Sequence, residues 1–296
     1  LGYELMLTWN HSFNLGGSPF SYSVGVNFSD YTSKYTKCDN PSGLIGDPYV
    51  GRKEGEIWGY MVDGLFRNDE EAKRYADEID LSLVSPGCYN ATGAYGTGVR
   101  GGDLRYLDLD GNKIVNSGKG TLDDPGDRRI IGNSTPRYHY GINLSAEWKG
   151  IDLSVFVQGI GRQDWYPGSD NMRFWGPYAR PYGTFVPRNF MSDVWSESNP
   201  DAYFPRARAY SSLNTTNGTV YYANDRYLQN LAYCRLKNVT IGYTFPAKWM
   251  SKIRITNLRI YVSGENLLTS TALRSHFLDP EQASACLLYT SDAADD

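Results

Sequence analysis

The chain has 296 residues, of which 14% are aromatic, with 24 tyrosines against 5 methionines, a composition that favours β-sheet over helix. The formal net charge of -4 comes without any block of Lys and Arg, which argues against nucleic acid as a partner. No run of about 18 apolar residues occurs, which excludes a transmembrane helix, whereas a membrane strand of about 9–11 alternating residues would escape such a scan.

The first predicted elements are two strands with clean two-residue alternation. The first begins at Tyr3, and Leu5, Leu7 and Trp9 follow on the same face. The second strand covers residues 20–29, with one apolar and one polar face. Its apolar face holds Phe20, Tyr22, Val24, Val26 and Phe28.

Two long excursions rich in Gly, Pro, Asn and aromatic residues follow, at residues 30–135 and 162–230. Both far exceed the ~12–15 residues expected of a structureless loop in a compact domain. In the first, Asn68 and Glu71 form a capping-box pattern that predicts a short helix.

The remaining strands alternate in the same way, at residues 138–148, 151–158, 238–245 and 258–262. Short links are predicted at residues 10–19, 149–150 and 246–256, so the strands form three hairpins. Short turns at one end and long loops at the other are typical of an outer-membrane barrel. We therefore predict an all-β fold: an open, curved sheet of about six long antiparallel strands, part of a transmembrane β-barrel with long extracellular loops and one short loop helix.

Several segments resemble SusC/RagA-type TonB-dependent (TonB-linked) outer-membrane transporters. The most specific are RLKNVTIGYTFP at residues 235–246 and LRIYVSGENLLT at residues 258–269, which resemble closing strands of the barrel. Further similarity covers residues 55–72, 102–115 and 127–159. The resemblance extends from about residue 2 to about residue 282.

The resemblance implies active import of nutrients across the bacterial cell outer membrane, with an oligosaccharide or a peptide as cargo. It also implies three kinds of partner: outer-membrane lipid, a SusD-like surface lipoprotein, and the TonB-ExbB-ExbD complex acting through N-terminal parts absent from this sequence. No enzymatic activity is expected, because the three histidines belong to no nucleophile elbow or HExxH pattern.

An acidic loop at residues 108–116 has the alternating oxygen spacing of a calcium loop. The candidate Ca²⁺ ligands are Asp108, Asp110, Asn112, the carbonyl of Ile114, and Asn116. Lys119 stands where the twelfth-position acid belongs, and Asp123, Asp124 or Asp127 could supply the missing ligand. The alternative is an Asp-Gly-Asn turn whose side chains bond to their own backbone.

The second excursion concentrates aromatic residues among arginines. Its candidate residues for substrate binding or lid contact are Trp165, Tyr166, Trp175, Tyr178 and Tyr182. Such rings can stack on sugar faces or pack against a lid protein. The alternative is that a loop of this length uses the rings as its own small core.

The sequence also predicts two boundaries and leaves one alternative fold open. Residues 1–285 are predicted to be the C-terminal part of the barrel of a TonB-dependent receptor, whose start and end both look truncated. Residues 286–296 match a translated sequencing adapter, and we expect them to be foreign. The rival is a secreted β-sandwich that binds or cleaves glycan, with the aromatic loop as its cleft.

Overall fold

The computed structural model describes residues 1–85, 98–168, 171–179, 186, 188–207, 219–275 and 278–283. Tyr182 and the adapter-like residues 286–296 lie outside these ranges. The strands are β1 Gly2–Leu15, β2 Ser18–Tyr31, β3 Glu56–Tyr60, β4 Val62–Leu65, β5 Leu104–Tyr106, β6 Arg128–Asn133, β7 Arg137–Trp148, β8 Ile151–Arg162, β9 Asp164–Trp165, β10 Gln229–Asn230, β11 Tyr233–Thr244 and β12 Arg259–Thr271. The helices are α1 Asp69–Glu78, α2 Met172–Trp175 and α3 Ala247–Met250, and none of the described helices is long and apolar enough to cross a membrane.

Six long strands form one open antiparallel sheet in the order β1-β2-β7-β8-β11-β12, which confirms the predicted fold class. The predicted first link at residues 10–19 is wrong, because β1 continues to Leu15 and β2 begins at Ser18. Gly16 and Gly17 make the turn with positive φ angles of 59° and 78°, which glycine adopts without a steric penalty. The predicted two-residue link at 149–150 is confirmed.

The register of the sheet separates apolar from polar side chains over all six strands. Residues on one face pair directly from strand to strand in an apolar row: Leu7, Val26, Ile142, Val157, Leu236 and Leu268. The opposite face carries a polar row: Asn10, Ser23, Ser145, Ser154, Thr240 and Ser263. The alternation predicted from sequence therefore extends over the whole sheet.

The apolar face of this sheet remains open. Trp9 is 63% exposed, and Val262 is 76% exposed. A β-sandwich would bury such side chains against a facing sheet. The other sheets in the described part of the chain have only two strands each, so the structure does not support the rival sandwich.

The chain divides into two compact units. The strand unit contains Leu1–Ser33, Pro136–Gln163 and Asn230–Leu273, and therefore the six-stranded sheet. The excursion unit contains Lys34–Thr135, Asp164–Gln229 and Arg274–Asp296. Within it, β3 pairs with β6 and β4 pairs with β5. These short strands lie in a segment that the sequence predicted to be loop.

The loop helix predicted in the first excursion is confirmed as α1. Its N-cap residue Asn68 accepts a hydrogen bond from the Glu71 backbone N–H at 2.8 Å, which satisfies one of the unpaired donors of the first turn. The helix buries Ala72, and the hydroxyl of Tyr75 donates to the Tyr106 carbonyl at 2.7 Å. One face of α1 is thereby fixed to the core of the excursion unit.

Candidate functional site

The core of the excursion unit is built from both excursions. Tyr60 donates its backbone N–H to the Ala223 carbonyl at 2.9 Å, and the Val62 N–H donates to Asp225 Oδ1 at 2.9 Å. The buried hydroxyl of Tyr106 donates to the Thr219 carbonyl at 2.5 Å. Because these bonds join segments far apart in sequence, the two excursions form one folded body.

Four of the five aromatic candidates lie in this body. Trp175 is fully buried and Tyr178 is buried, and both belong to its hydrophobic core. Trp165 and Tyr166 are partly buried. The positions of Trp175 and Tyr178 fit the alternative interpretation, in which rings of the second excursion form a core, whereas Trp165 keeps part of its surface open.

Hydrogen bonds fix two of these rings in place. The hydroxyl of Tyr166 donates within 3.0 Å of the Val220 and Tyr222 carbonyls, and Trp175 Nε1 donates to the Gly168 carbonyl at 3.1 Å. Burial raises the pKa of Tyr166 well above its usual value. The phenol therefore stays protonated at neutral pH and acts as a hydrogen-bond donor.

The acidic loop brings together three carboxylates. Ligand oxygens of Asp108, Asp110 and Asp127 lie within 4.8 Å of one another. Oxygens bound to one Ca²⁺ at 2.3–2.6 Å stand at most about 5 Å apart, so the three carboxylates are near enough to share one ion. Of the three acidic residues considered as the missing ligand, the fold places Asp127 in this group.

The same loop is also organised by its own hydrogen bonds. Asp108 accepts the backbone N–H groups of Gly111 and Lys113, both at 2.8 Å. Burial raises the pKa of Asp108, but these backbone donors outweigh it and hold the pKa below its usual value. The side-chain oxygens of Asn112 and Asn116 accept from the Ile114 and Gly118 N–H groups, as the turn interpretation requires.

Asp127 supports the loop from its buried side. Its fully buried carboxylate accepts the Leu109 N–H at 2.6 Å and the Asn116 N–H at 2.8 Å. These two bonds hold the carboxylate in a fixed position beside Asp108 and Asp110.

A cavity of about 600 Å³ beside this loop was not predicted from the sequence. It is lined by Trp58, Asp110, Asp123, Asp124, Pro125, Gly126, Arg129 and Ile130. Trp58 on β3 pairs with Ile130 on β6, so strand pairing brings the ring to the acidic loop. Three carboxylates face one guanidinium here, which gives the cavity a negative formal charge.

At the strand ends from which the excursions leave, an ion pair joins β2 to β7. Arg137 donates through Nε and Nη2 to the two carboxylate oxygens of Asp30, both at 2.5 Å. Asp30 is buried, and it also accepts the Tyr138 backbone N–H at 3.2 Å. A bidentate pair of this kind fixes both the distance and the orientation of the two strand ends.

Comparison with models of protein families finds no match. Among curated proteins, TonB-dependent receptor P3 of Formosa agariphila is 27% identical over 283 residues, which cover 91% of this chain and 24% of the receptor. TonB-dependent receptor P26 of the same organism is 27% identical over 180 residues, covering 61% of this chain and 16% of that receptor. The chain thus spans about a quarter of the length of the first of these relatives.

Solved structures share the fold over nearly the whole chain. The RagAB peptide transporter aligns with a TM-score of 0.58 and 18% identity, over 95% of this chain and 26% of that chain. The RagAB peptide importer in its open-open state aligns with a TM-score of 0.52 and 17% identity, with the same coverage. By sequence the chain is thus a homologue of TonB-dependent receptors, proteins of the bacterial outer membrane, and by fold it matches part of the barrel of their SusC/RagA-like members.

Proposed function

We propose that the chain forms part of the barrel wall and outer loops of a TonB-coupled nutrient importer. The observation that carries the proposal is the separation of an apolar row from a polar row over six antiparallel strands. A membrane barrel needs an apolar outside, a polar lumen and a backbone satisfied between strands. Residues 1–285 would be the wall and loops, and residues 286–296 a foreign tail.

The proposed cargo is a peptide or an oligosaccharide. The names of the similar solved structures, a peptide transporter and a peptide importer, support the peptide. The resemblance to SusC/RagA-type proteins supports a SusD-like surface lipoprotein as the partner on the outside and the TonB-ExbB-ExbD complex as the source of energy. In this proposal the chain performs transport and no chemical step.

Within the excursion unit, we assign contact with cargo or lid to Trp165, whose ring is partly open. Trp175 and Tyr178 would support that surface from below, because they pack against Phe204 in the core. Tyr166 packs against the same core and is held there by its hydrogen bonds to the Val220 and Tyr222 carbonyls. Tyr182, which lies outside the described residues, remains a candidate for cargo or lid contact.

The test uses the complete protein in its native outer membrane. Uptake of labelled peptides and labelled oligosaccharides would be measured in cells with and without a functional ExbB. We expect saturable uptake of one cargo class that disappears without ExbB. Cargo uptake that is unchanged without ExbB would contradict energy coupling, and a protein that stays soluble without detergent would contradict the barrel.

A pair of variants separates binding from folding in the same assay. Trp165→Ala should weaken cargo or lid binding while the protein keeps its heat-modifiable barrel band. Trp175→Ala should instead destabilise the excursion unit, since truncating a buried Trp costs about 3–5 kcal/mol. Unchanged binding in Trp165→Ala would remove that residue from the proposed site.

A further inference from the structure

The link between β11 and β12, residues 245–258, is rich in cations. It carries Lys248, Lys252 and Arg254 and contains neither Asp nor Glu. Helix α3 and a 3-10 turn at Ser251–Ile253 fold it, and Arg254 closes the turn in the left-handed region with φ 60°. We call this segment the basic link.

The same link exposes large apolar side chains next to its cations. Trp249 is 55% exposed and Ile253 is 58% exposed, while Met250 is buried and holds the turn through its carbonyl, which accepts the Ile255 N–H at 3.1 Å. Exposed Trp and aliphatic side chains among Lys and Arg are the composition of segments that lie at a membrane surface.

The turn at residues 149–150 lies next to the basic link and adds a further cation. The Thr244 N–H donates to the Gly150 carbonyl at 2.7 Å, which joins the start of the basic link to the turn at 149–150. In that turn, the Lys149 ammonium lies 4.6 Å from the ring centroid of Trp148. The start of the basic link and the turn at 149–150 are therefore adjacent.

An aromatic row crosses the sheet next to these turns. Its directly paired members are Phe13, Phe20, Trp148, Ile151, Tyr243 and Ile260. Four of the six are aromatic, and rings of this kind collect where the hydrocarbon core meets the headgroups. The basic link lies beyond the row, on the side of the short turns, and so at headgroup depth.

We propose that the basic link, with Lys149, binds anionic phospholipid headgroups of the leaflet on the short-turn side of the barrel. The inference rests on the proposed membrane barrel. Near this end of the sheet, five cationic side chains (Lys149, Lys248, Lys252, Arg254 and Arg259) stand against two carboxylates, Glu147 and Asp152. Since Arg259 already pairs with Asp152, the other four cations favour phosphate oxygens as partners.

The test compares lipid retention by the complete protein in nanodiscs of phosphatidylcholine with and without phosphatidylglycerol. Native mass spectrometry would count the lipids kept after mild delipidation. The unmodified protein should prefer phosphatidylglycerol, and about 0.5 M NaCl should abolish the preference because it screens exposed charges. The triple variant K248Q/K252Q/R254Q should bind phosphatidylglycerol at least about tenfold more weakly, since each cation near an anionic surface contributes about fivefold.

A matched control removes three exposed cations of the excursion unit, in K37Q/K73Q/K119Q, and should keep the preference. Equal retention of both lipids by the unmodified protein would overturn the lipid site, as would loss of the preference in the control variant. The lipid site would also be overturned if the basic link bound an acidic protein in place of lipid and salt did not weaken that binding. Protein that enters no nanodisc would instead contradict the barrel itself, so the two failures are distinguishable.

Discussion

Arg259 on β12 reaches over the whole of β11 to pair with Asp152 on β8, with Nε at 3.0 Å from Oδ1 and Nη2 at 2.5 Å from Oδ2. Gly242 occupies the position between them. A Cβ atom on Gly242 would lie 2.5 Å from Asp152 Oδ1 and 2.6 Å from Arg259 Nη2. The absence of a side chain at Gly242 therefore leaves the space in which the ion pair forms. The ion pair connects three strands, whereas backbone pairing connects only two.

Gly242→Ala is expected to break this arrangement. The added methyl group must displace either the carboxylate or the guanidinium. Because both belong to partly exposed side chains that can move aside, the expected loss is the contribution of the ion pair, about 1 kcal/mol or less. Urea unfolding of the complete protein refolded into detergent micelles would measure the loss. The control is Gly25→Ala on the same face, where the nearest atom to the new Cβ is 3.7 Å away, an ordinary contact. Equal stability of the two variants would refute the role assigned to Gly242.

Val24→Arg is expected to destabilise the barrel in lipid. Val24 pairs with Trp9 and Leu144 on the apolar face, where a charge near the midplane costs about 2–4 kcal/mol. The control Ser23→Arg places the same side chain on the polar face and should fold nearly as well as the unmodified protein. The measurement is the folded fraction of each variant in lipid vesicles, determined from heat-modifiable gel mobility and compared with that of the unmodified protein. A larger loss in Ser23→Arg would reverse the assignment of the two faces.

Asp110→Ala should reduce any calcium-dependent gain in melting temperature of the complete protein. A ligand that binds only the folded state raises stability in proportion to the logarithm of its concentration. Removing one of three converging carboxylates lowers the affinity for the ion. The measurement is melting with 1 mM-scale calcium and with excess chelator, with Asp77→Ala on α1 as the exposed acidic control. Identical melting of the unmodified protein under both conditions would leave only the turn interpretation.

Asp225→Asn should make the excursion unit more stable at neutral pH. Burial raises the pKa of Asp225 above 3.8, more than its backbone hydrogen bonds lower it. A carboxyl group whose folded pKa is raised contributes stability below its unfolded pKa, and that contribution is lost as pH rises through the folded pKa. The amide keeps an acceptor for the Val62 N–H without the half-buried charge.

The predicted advantage of Asp225→Asn is therefore small near pH 3 and grows towards pH 7. Resistance of the excursion unit to limited proteolysis, measured across this range with an acid-tolerant and a neutral protease, follows its stability. Asp77→Asn, a substitution on an exposed side chain, serves as the control. An advantage that shrinks as pH rises would contradict the sign of the shift.

Strands and their hairpin partners were predictable from local pattern, whereas pairings between residues far apart in sequence were not. The alternation at residues 20–29 predicted β2, because a strand's period is written in consecutive residues. The turn at Gly16 was misplaced, since residues 10–15 are more polar than the rest of β1 but keep pairing with β2. The bulge between Leu236 and Asn238 also carries no strong local signal.

The candidate sites follow the same division. The spacing of Asp108 and Asp110 was visible in the sequence, and Asp127 was one of three acidic residues that could join them. The cavity beside Trp58 and Arg129 was missed, because pairing of β3 with β6 brings these residues together over a long separation in sequence. Burial of Trp175 likewise depends on residues of the first excursion and on later parts of the second.

The shared core of the two excursions bears on how this chain can diverge. Arg206 of the second excursion donates its backbone N–H to the Gly102 carbonyl of the first at 2.7 Å, and Gly102 has no room for a side chain because the Trp195 ring lies against it. Recombination that replaced only one excursion with a relative's version would mismatch these contacts and the Tyr106–Thr219 bond. The two segments, although separated by a hairpin of the wall, should be inherited and exchanged together.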